Sequence, residues 1–183
     1  MEAISSALSR IRQTVSSFLV FSNDNLISEN TNEVVLQRVC ETALQVYLSR
    51  YRNERIRVIT NIPGEESKII GNEALLSQMI FLLMQNSFDS LYDLTAVDGW
   101  IQISVATNFP RVIVTISDSG SADRSDTLSR SDELTVRPGR QLDLVMAKRI
   151  AEKHGGELVW LKHLPHFTLQ ISLPLAGQRL AAA

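Results

Sequence analysis

The chain has 183 residues, is 44% hydrophobic and carries a formal net charge of -2. That length fits one domain, or one domain with a short appendage, and the apolar fraction is enough for a real core. The near-balanced charge leaves no electrostatic footprint for nucleic acid and no basic patch for a membrane surface. The single cysteine, Cys40, excludes an internal disulfide and suits a reducing compartment. No apolar run approaches the roughly 18 residues a spanning helix needs, and no signal peptide is visible. These features point to a cytoplasmic chain, even if a longer parent is membrane-anchored. The ending GQRLAAA, residues 177–183, reads as a tail or vector sequence. With Met1 as a possible start, it suggests a fragment of a longer protein.

Residues 2–22 carry Ile4, Leu8, Ile11, Val15, Phe18 and Leu19 at helical spacing, which predicts one amphipathic helix. The polar run 22–32 ends it. A second helix is predicted at about 33–50, with Val35, Leu36, Val39, Cys40, Ala43, Leu44 and Tyr47 inward and Asn32 or Thr31 as N-cap. Alternation then predicts a strand at Arg55–Ile59, a turn at Pro63-Gly64 and a short strand at Lys68–Gly71. Residues 73–92 predict a long helix apolar enough to be buried on most sides. Strands at Trp100–Ala106 and Val112–Ser117 follow, joined by Asn108-Phe109-Pro110. The stretch 119–138 is polar, and a loop that long in a compact domain is usually functional or mobile. A helix at 140–154 holds His154 in its last turn and Gly155 just past its end. Strands at Glu157–Lys162 and His166–Leu173 flank a turn at Pro165. Strands in hairpin pairs separated by helices argue an α/β two-layer sandwich, a mixed, mostly antiparallel sheet with helices on one face, preceded by a helical segment.

Three places can carry chemistry. Asn86 and Asp89 lie three apart, so they share a face of the most apolar helix. The plain reading is a solvent-facing helix edge; the sharper one is a site for a hydrated Mg²⁺, which prefers oxygen ligands and keeps several waters. Val114 to Gly120 reads as a strand ending Asp118-Ser119-Gly120. It is either a routine strand exit or a carboxylate placed to accept from an exocyclic amine, with Gly120 letting backbone approach a flat ligand. Gly139 precedes the helix at 140. It is either a Pro-Gly turn or the entry to an anion site at a helix N-terminus.

Each motif is weak alone, but their order is specific. Over about residues 32–175 the chain resembles the ATP-binding catalytic domain of bacterial two-component sensor histidine kinases, in the superfamily shared with gyrase B and MutL. KIIGNEALLSQMIFLLMQNSFDSL looks like the family's N-box helix, with Asn86 at the magnesium-binding asparagine. VTISDSG looks like its G1 box, with Asp118 at the adenine-reading aspartate. LTVRPG is similar to the end of the ATP lid, and residues 139–156 occupy the G2 box and the following helix. By the same resemblance, 1–31 is the remnant of a dimerisation helix and its linker, and 32–176 is the ATP-binding domain. The resemblance implies ATP held by Asn86, Asp89, Asp118, Gly120, Arg137, Gly139 and Arg140, the arginines pairing with phosphate oxygens, and Mg²⁺ held by Asn86. It implies a response regulator or another phosphorelay protein as partner, and a homodimer through the N-terminal helix of the parent.

The chain also departs from that pattern. The last G1 glycine is Ala122, and the G2 glycines are replaced by Gln141 and Asp143. Side chains there intrude where backbone passes triphosphate, and Asp143 adds negative charge beside it. Four residues before Asn86, where the family has a polar side chain, stands Leu82. The histidines are His154, His163 and His166. None matches a phosphoacceptor on a dimerisation helix, so the chain alone is not expected to autophosphorylate in the family's manner. His154 fits a structural cation at a helix C-terminus. Two main readings stand: a protein-histidine kinase domain that binds Mg-ATP through a modified loop, and a pseudokinase-type docking or regulatory module that has lost the nucleotide. A third, an anti-sigma-factor kinase of the same superfamily, is disfavoured by the helix at 2–22.

Overall fold

The computed structural model describes residues 31–51, 55–63, 67–92, 98–121, 140–162 and 164–177. The helix expected at 2–22 and most of the polar stretch 119–138 lie outside them. The described chain opens on strand β1 (Asn32–Val35), where the sequence pattern predicts helix. Val34 and Val35 are β-branched and suit an extended backbone. Their ladder goes to β3 (Lys68–Gly71), antiparallel, with Asn32 opposite Gly71 and Val35 opposite Lys68. Helix α1 (Leu36–Arg50) follows at once. Its N-cap residue is Val35, with no side-chain cap, so neither Asn32 nor Thr31 serves. Leu36 instead donates its N–H to Ser67 O at 2.9 Å, and Gln37 Oε1 accepts the Ser67 N–H at 3.0 Å. Bonds to a distant segment replace the local cap, which a local pattern cannot reveal.

The main sheet runs β2-β4-β5-β7-β6. Strand β2 (Ile56–Asn61) does not form the expected hairpin with β3. It lies parallel to β4 (Gly99–Asn108), Ile56 opposite Gly99 and Asn61 opposite Ser104. A parallel pair needs a long crossover, and helix α2 (Glu73–Tyr92) lies within it. Strands β4 and β5 (Arg111–Ser121) form the predicted hairpin, closing at Asn108 and Arg111. Strand β7 (His166–Pro174) pairs antiparallel with β5 and with edge strand β6 (Glu157–Trp160). The sheet is mixed and mostly antiparallel, as the element order predicts.

Alternation sorts its two faces. Ile101, Ile103 and Val105, Val112, Val114 and Ile116, and Leu169, Ile171 and Leu173 are all buried in one core. Between them, polar Gln102, Ser104, Thr115, Ser117 and Gln170 are only half-buried. Helices therefore cover one face. Helix α2 is the centre of that layer. Met79 through Met84 are buried without a break, because α1 packs on one side, α3 (Arg140–Lys153) on the other and the sheet lies beneath. Each such side chain contributes roughly 1.5–3 kcal/mol of burial. Across the α1–α2 seam Tyr51 meets Phe88 with ring centroids 4.6 Å apart.

The His154-Gly155-Gly156 sequence joins α3 to both α2 and the sheet. Gly155 has φ +69 and closes α3 in the left-handed conformation expected of it. The Gly156 N–H bonds Ala151 O at 2.9 Å. A methyl at Gly156 would collide with the Ser172 carbonyl and stand 2.6 Å from Leu173 Cδ2. Gly156→Ala should therefore cost roughly 2–4 kcal/mol, because the carbonyl belongs to a sheet strand and cannot swing away. A urea midpoint equal to wild type would contradict this.

His154 is structural, but not as a cation. Its ring is 8% exposed. Nδ1 lies 2.7 Å from Ile150 O and must donate to it, and Nε2 accepts the Asn72 N–H at 3.1 Å. Both bonds require the neutral ring. Burial accordingly lowers its pKa, although the bond to Ile150 pulls the other way. Asn72 in turn caps α2, its Oδ1 accepting the Leu75 N–H at 3.2 Å.

Candidate functional site

Strand β5 does not exit at Ser117 but continues to Ser121, and its pairing changes on the way. Asp118 is opposite Phe167, yet Ser121 is opposite His166, so Ser119 and Gly120 bulge out. Bulges re-aim side chains and are frequent beside sites. Here the Gly120 N–H turns back to Asp118 Oδ1 at 2.8 Å. On the β4 side the Ser119 hydroxyl accepts the Trp100 N–H at 3.1 Å. Asp118 shares the core face with Ile116 and is fully buried, 0% exposed. A carboxylate there costs several kcal/mol unless it is hydrogen-bonded. The Gly120 N–H offsets part of that cost at Oδ1.

Two stripes of α2 bear on the candidate residues. One holds Leu82, Asn86 and Asp89. Asn86 is 6% exposed, so the solvent-facing reading fails for it. Asp89 is half-buried and lies close enough to α3 to act on Asp143 through its charge. Leu82 is 1% exposed and leaves no polar group one turn before Asn86. The second stripe holds Ser87 and Leu91. Ser87 is completely buried and its Oγ makes no hydrogen bond. Nothing in the sequence distinguished Ser87 from an ordinary helix serine; only the packing does.

Helix α3 begins at Arg140, so positions 141 and 143 are helical rather than part of an open loop. Asp143 sits in the first turn, 9% exposed. Burial first, and the Asp89 charge second, push its pKa up to about 7. Near neutral pH it is therefore about half protonated, a weaker repulsive charge than the sequence suggests. Of the remaining sequence candidates, Gly120 is buried in β5 and Arg140 opens α3. Arg137, Gly139 and Ala122 lie outside the described residues. The described residues contain no group of three or more His, Cys, Asp or Glu that could hold a metal ion by itself. Cys40 is buried in the core, its thiol pushed up to about 12 by burial, and is no nucleophile. No helix of the described residues is long and apolar enough to cross a membrane.

Helices on one face of a mixed, mostly antiparallel five-stranded sheet form the fold of histidine kinase catalytic domains. The catalytic domain of the histidine kinase ThkA superposes with TM-score 0.66 at 17% identity, covering 79% of this chain and 95% of that one. ThkA in complex with the response regulator TrrA gives 0.74 at 17%, covering 97% and 51%. Full-length ShkA in complex with AMPPNP gives 0.73 at 17%, covering 100% and 38%. In sequence the chain is similar to sensor kinases. It is 25% identical over 126 residues to the C4-dicarboxylate transport sensor protein DctB of Rhizobium meliloti, covering 67% of this chain and 20% of DctB. It is 26% identical over 155 residues to the adaptive-response sensory kinase SasA of Synechococcus elongatus, covering 78% and 39%. The chain thus spans about a fifth of the first and two fifths of the second. No protein-family model matches the sequence.

Proposed function

We propose that this chain is the ATP-binding domain of a two-component sensor histidine kinase, acting in phosphorelay signalling, with its base-reading end kept and its phosphate end altered. The observation that carries the reading is Asp118: fully buried, at a bulge, its Oδ1 held by the Gly120 N–H. Such a carboxylate suits an exocyclic amine, which donates only. Asn86 and Asp89 are oxygen donors of the class Mg²⁺ prefers, and an ion held there would neutralise phosphate charge. Arg137 and Arg140 are the candidates to pair with phosphate oxygens, and Gly139 to open the anion-binding helix end.

The phosphate end argues for weak or modified grip. Asp143 brings a carboxyl group to the first turn of α3, where anionic phosphates gain from bare N–H groups. Leu82 removes the polar group beside Asn86. These two substitutions favour the alternative of a pseudokinase-type docking module. The two readings part on one experiment: titration of the chain with Mg²⁺ and a non-hydrolysable ATP analogue, with Asp118→Asn as control. ThkA is solved with a response regulator. By that analogy the partner proposed here is a response regulator or another phosphorelay protein. The segment 1–31 is proposed as the dimerisation remnant of a homodimeric parent, and 177–183 as a tail.

A further inference from the structure

Ser87 makes no sense as a folding residue. It sits in the middle of the most apolar helix, 0% exposed, with an Oγ that makes no hydrogen bond. A buried hydroxyl left so is unfavourable, and alanine would propagate the helix better. A buried group of this kind calls for an explanation, and a ligand is one of the few available.

Its place in the fold supplies the ligand. Leu91, one turn further on and on the same face of α2, packs on Gly99: a Cβ there would meet Leu91 Cδ1 at 3.2 Å and Ser119 Oγ at 3.3 Å. The start of α2 lies at the other end of the sheet. Asn72, its cap, bonds His154; Ala176, just past β7, bonds Lys68 O in β3; and Pro174 pairs with Arg111, the first residue of β5. Helix α2 therefore runs along β5 toward the bulge. Stepping back one turn from Leu91 covers about 6 Å. Stepping two residues from Gly99 to Ile101 covers about 6.6 Å. Ile101 is opposite Asp118. The two steps match, so Ser87 stands level with Asp118 along the sheet.

We infer that Ser87 is a second base-reading residue, its hydroxyl donating to the ring nitrogen next to the exocyclic amine that Asp118 accepts. Adenine presents that pair side by side, a donor at the amine and an acceptor at N1. An acid and a hydroxyl at one level complement both. The hydroxyl rotates freely, so it needs no further positioning. The inference rests on the nucleotide-binding reading above, and it adds selectivity for the N1 position.

The test uses the whole chain with Mg²⁺, ADP and 1-deaza-ADP, in which N1 is replaced by C–H. Wild type should bind ADP about 5–10-fold more tightly than 1-deaza-ADP, the worth of one neutral hydrogen bond. Ser87→Ala should bind ADP about 5–10-fold more weakly than wild type and no longer separate the two ligands. Its melting temperature without nucleotide should equal or exceed that of wild type, since no hydrogen bond is lost. ADP binding by wild type that is indifferent to both the Ser87→Ala change and the N1 replacement overturns the inference and leaves the nucleotide reading standing. Absence of ADP binding by wild type at millimolar concentration overturns both.

Discussion

Asp143→Asn should stabilise the domain at pH 8 by on the order of 2 kcal/mol and leave it unchanged at pH 4. The side chain is 9% exposed, and burial, helped by the Asp89 charge, pushes its pKa up to about 7. A folded pKa above the unfolded value means a contribution fully present below about pH 4 and lost as pH rises through 7. Above that, the fold must hold an ionised carboxylate in a place that disfavours it. Asparagine has the same shape and no charge, so it removes the cost only where the cost exists. Burial being the larger cause, Asp89→Asn should recover less than half of the gain. Urea unfolding at pH 4, 6 and 8 reads the effect directly. A difference between Asp143→Asn and wild type that is the same at all three would show that the charge is irrelevant there.

His154→Ala should cost roughly 2–4 kcal/mol at pH 7.5. The ring packs against Gly71, where an added Cβ would stand 2.6 Å from its Cδ2, and it accepts the Asn72 N–H that alanine would leave without its partner. The pH dependence has the opposite sign to that of Asp143. The folded pKa of His154 is lowered, chiefly by burial, so its contribution is present above the unfolded value near 6.5 and is lost as pH falls through the folded value. The gap between variant and wild type should narrow by pH 5. A gap that widens in acid would mean that the ring acts as a cation and not as the neutral tautomer.

Much of this fold can be read from sequence, and the misses share one cause. The central helix was legible to the residue, 73–92, because its apolar surface leaves no other reading. The β4–β5 hairpin was legible because both strands alternate and the turn between them is local. Strand β1 was not, since four residues form it only by pairing with Lys68–Gly71, more than thirty positions away. The same distant demand takes β3 away from β2 and breaks the expected hairpin. The site divides likewise. Asp118, Asn86 and Asp89 stand in recognisable strings. The bulge after Asp118 is defined by its pairing to β7, some fifty residues on, and no local string encodes it. Ser87 is one letter beside Asn86, and its oddity is visible only once burial and hydrogen bonding are known together. The protonation of Asp143 depends on how α2 and α3 pack, so its identity alone suggested a stronger charge than the fold allows.

We propose that the buried aspartate at the β5 bulge reads a nucleobase. Calorimetric titration of the chain with Mg²⁺ and a non-hydrolysable ATP analogue tests it most directly. Binding tighter than about 100 μM, or about -5.5 kcal/mol, is expected, with a matching rise in melting temperature, because a ligand of the folded state stabilises it. Asp118→Asn should abolish both. No heat and no thermal shift at millimolar nucleotide, or binding that survives Asp118→Asn undiminished, would contradict it.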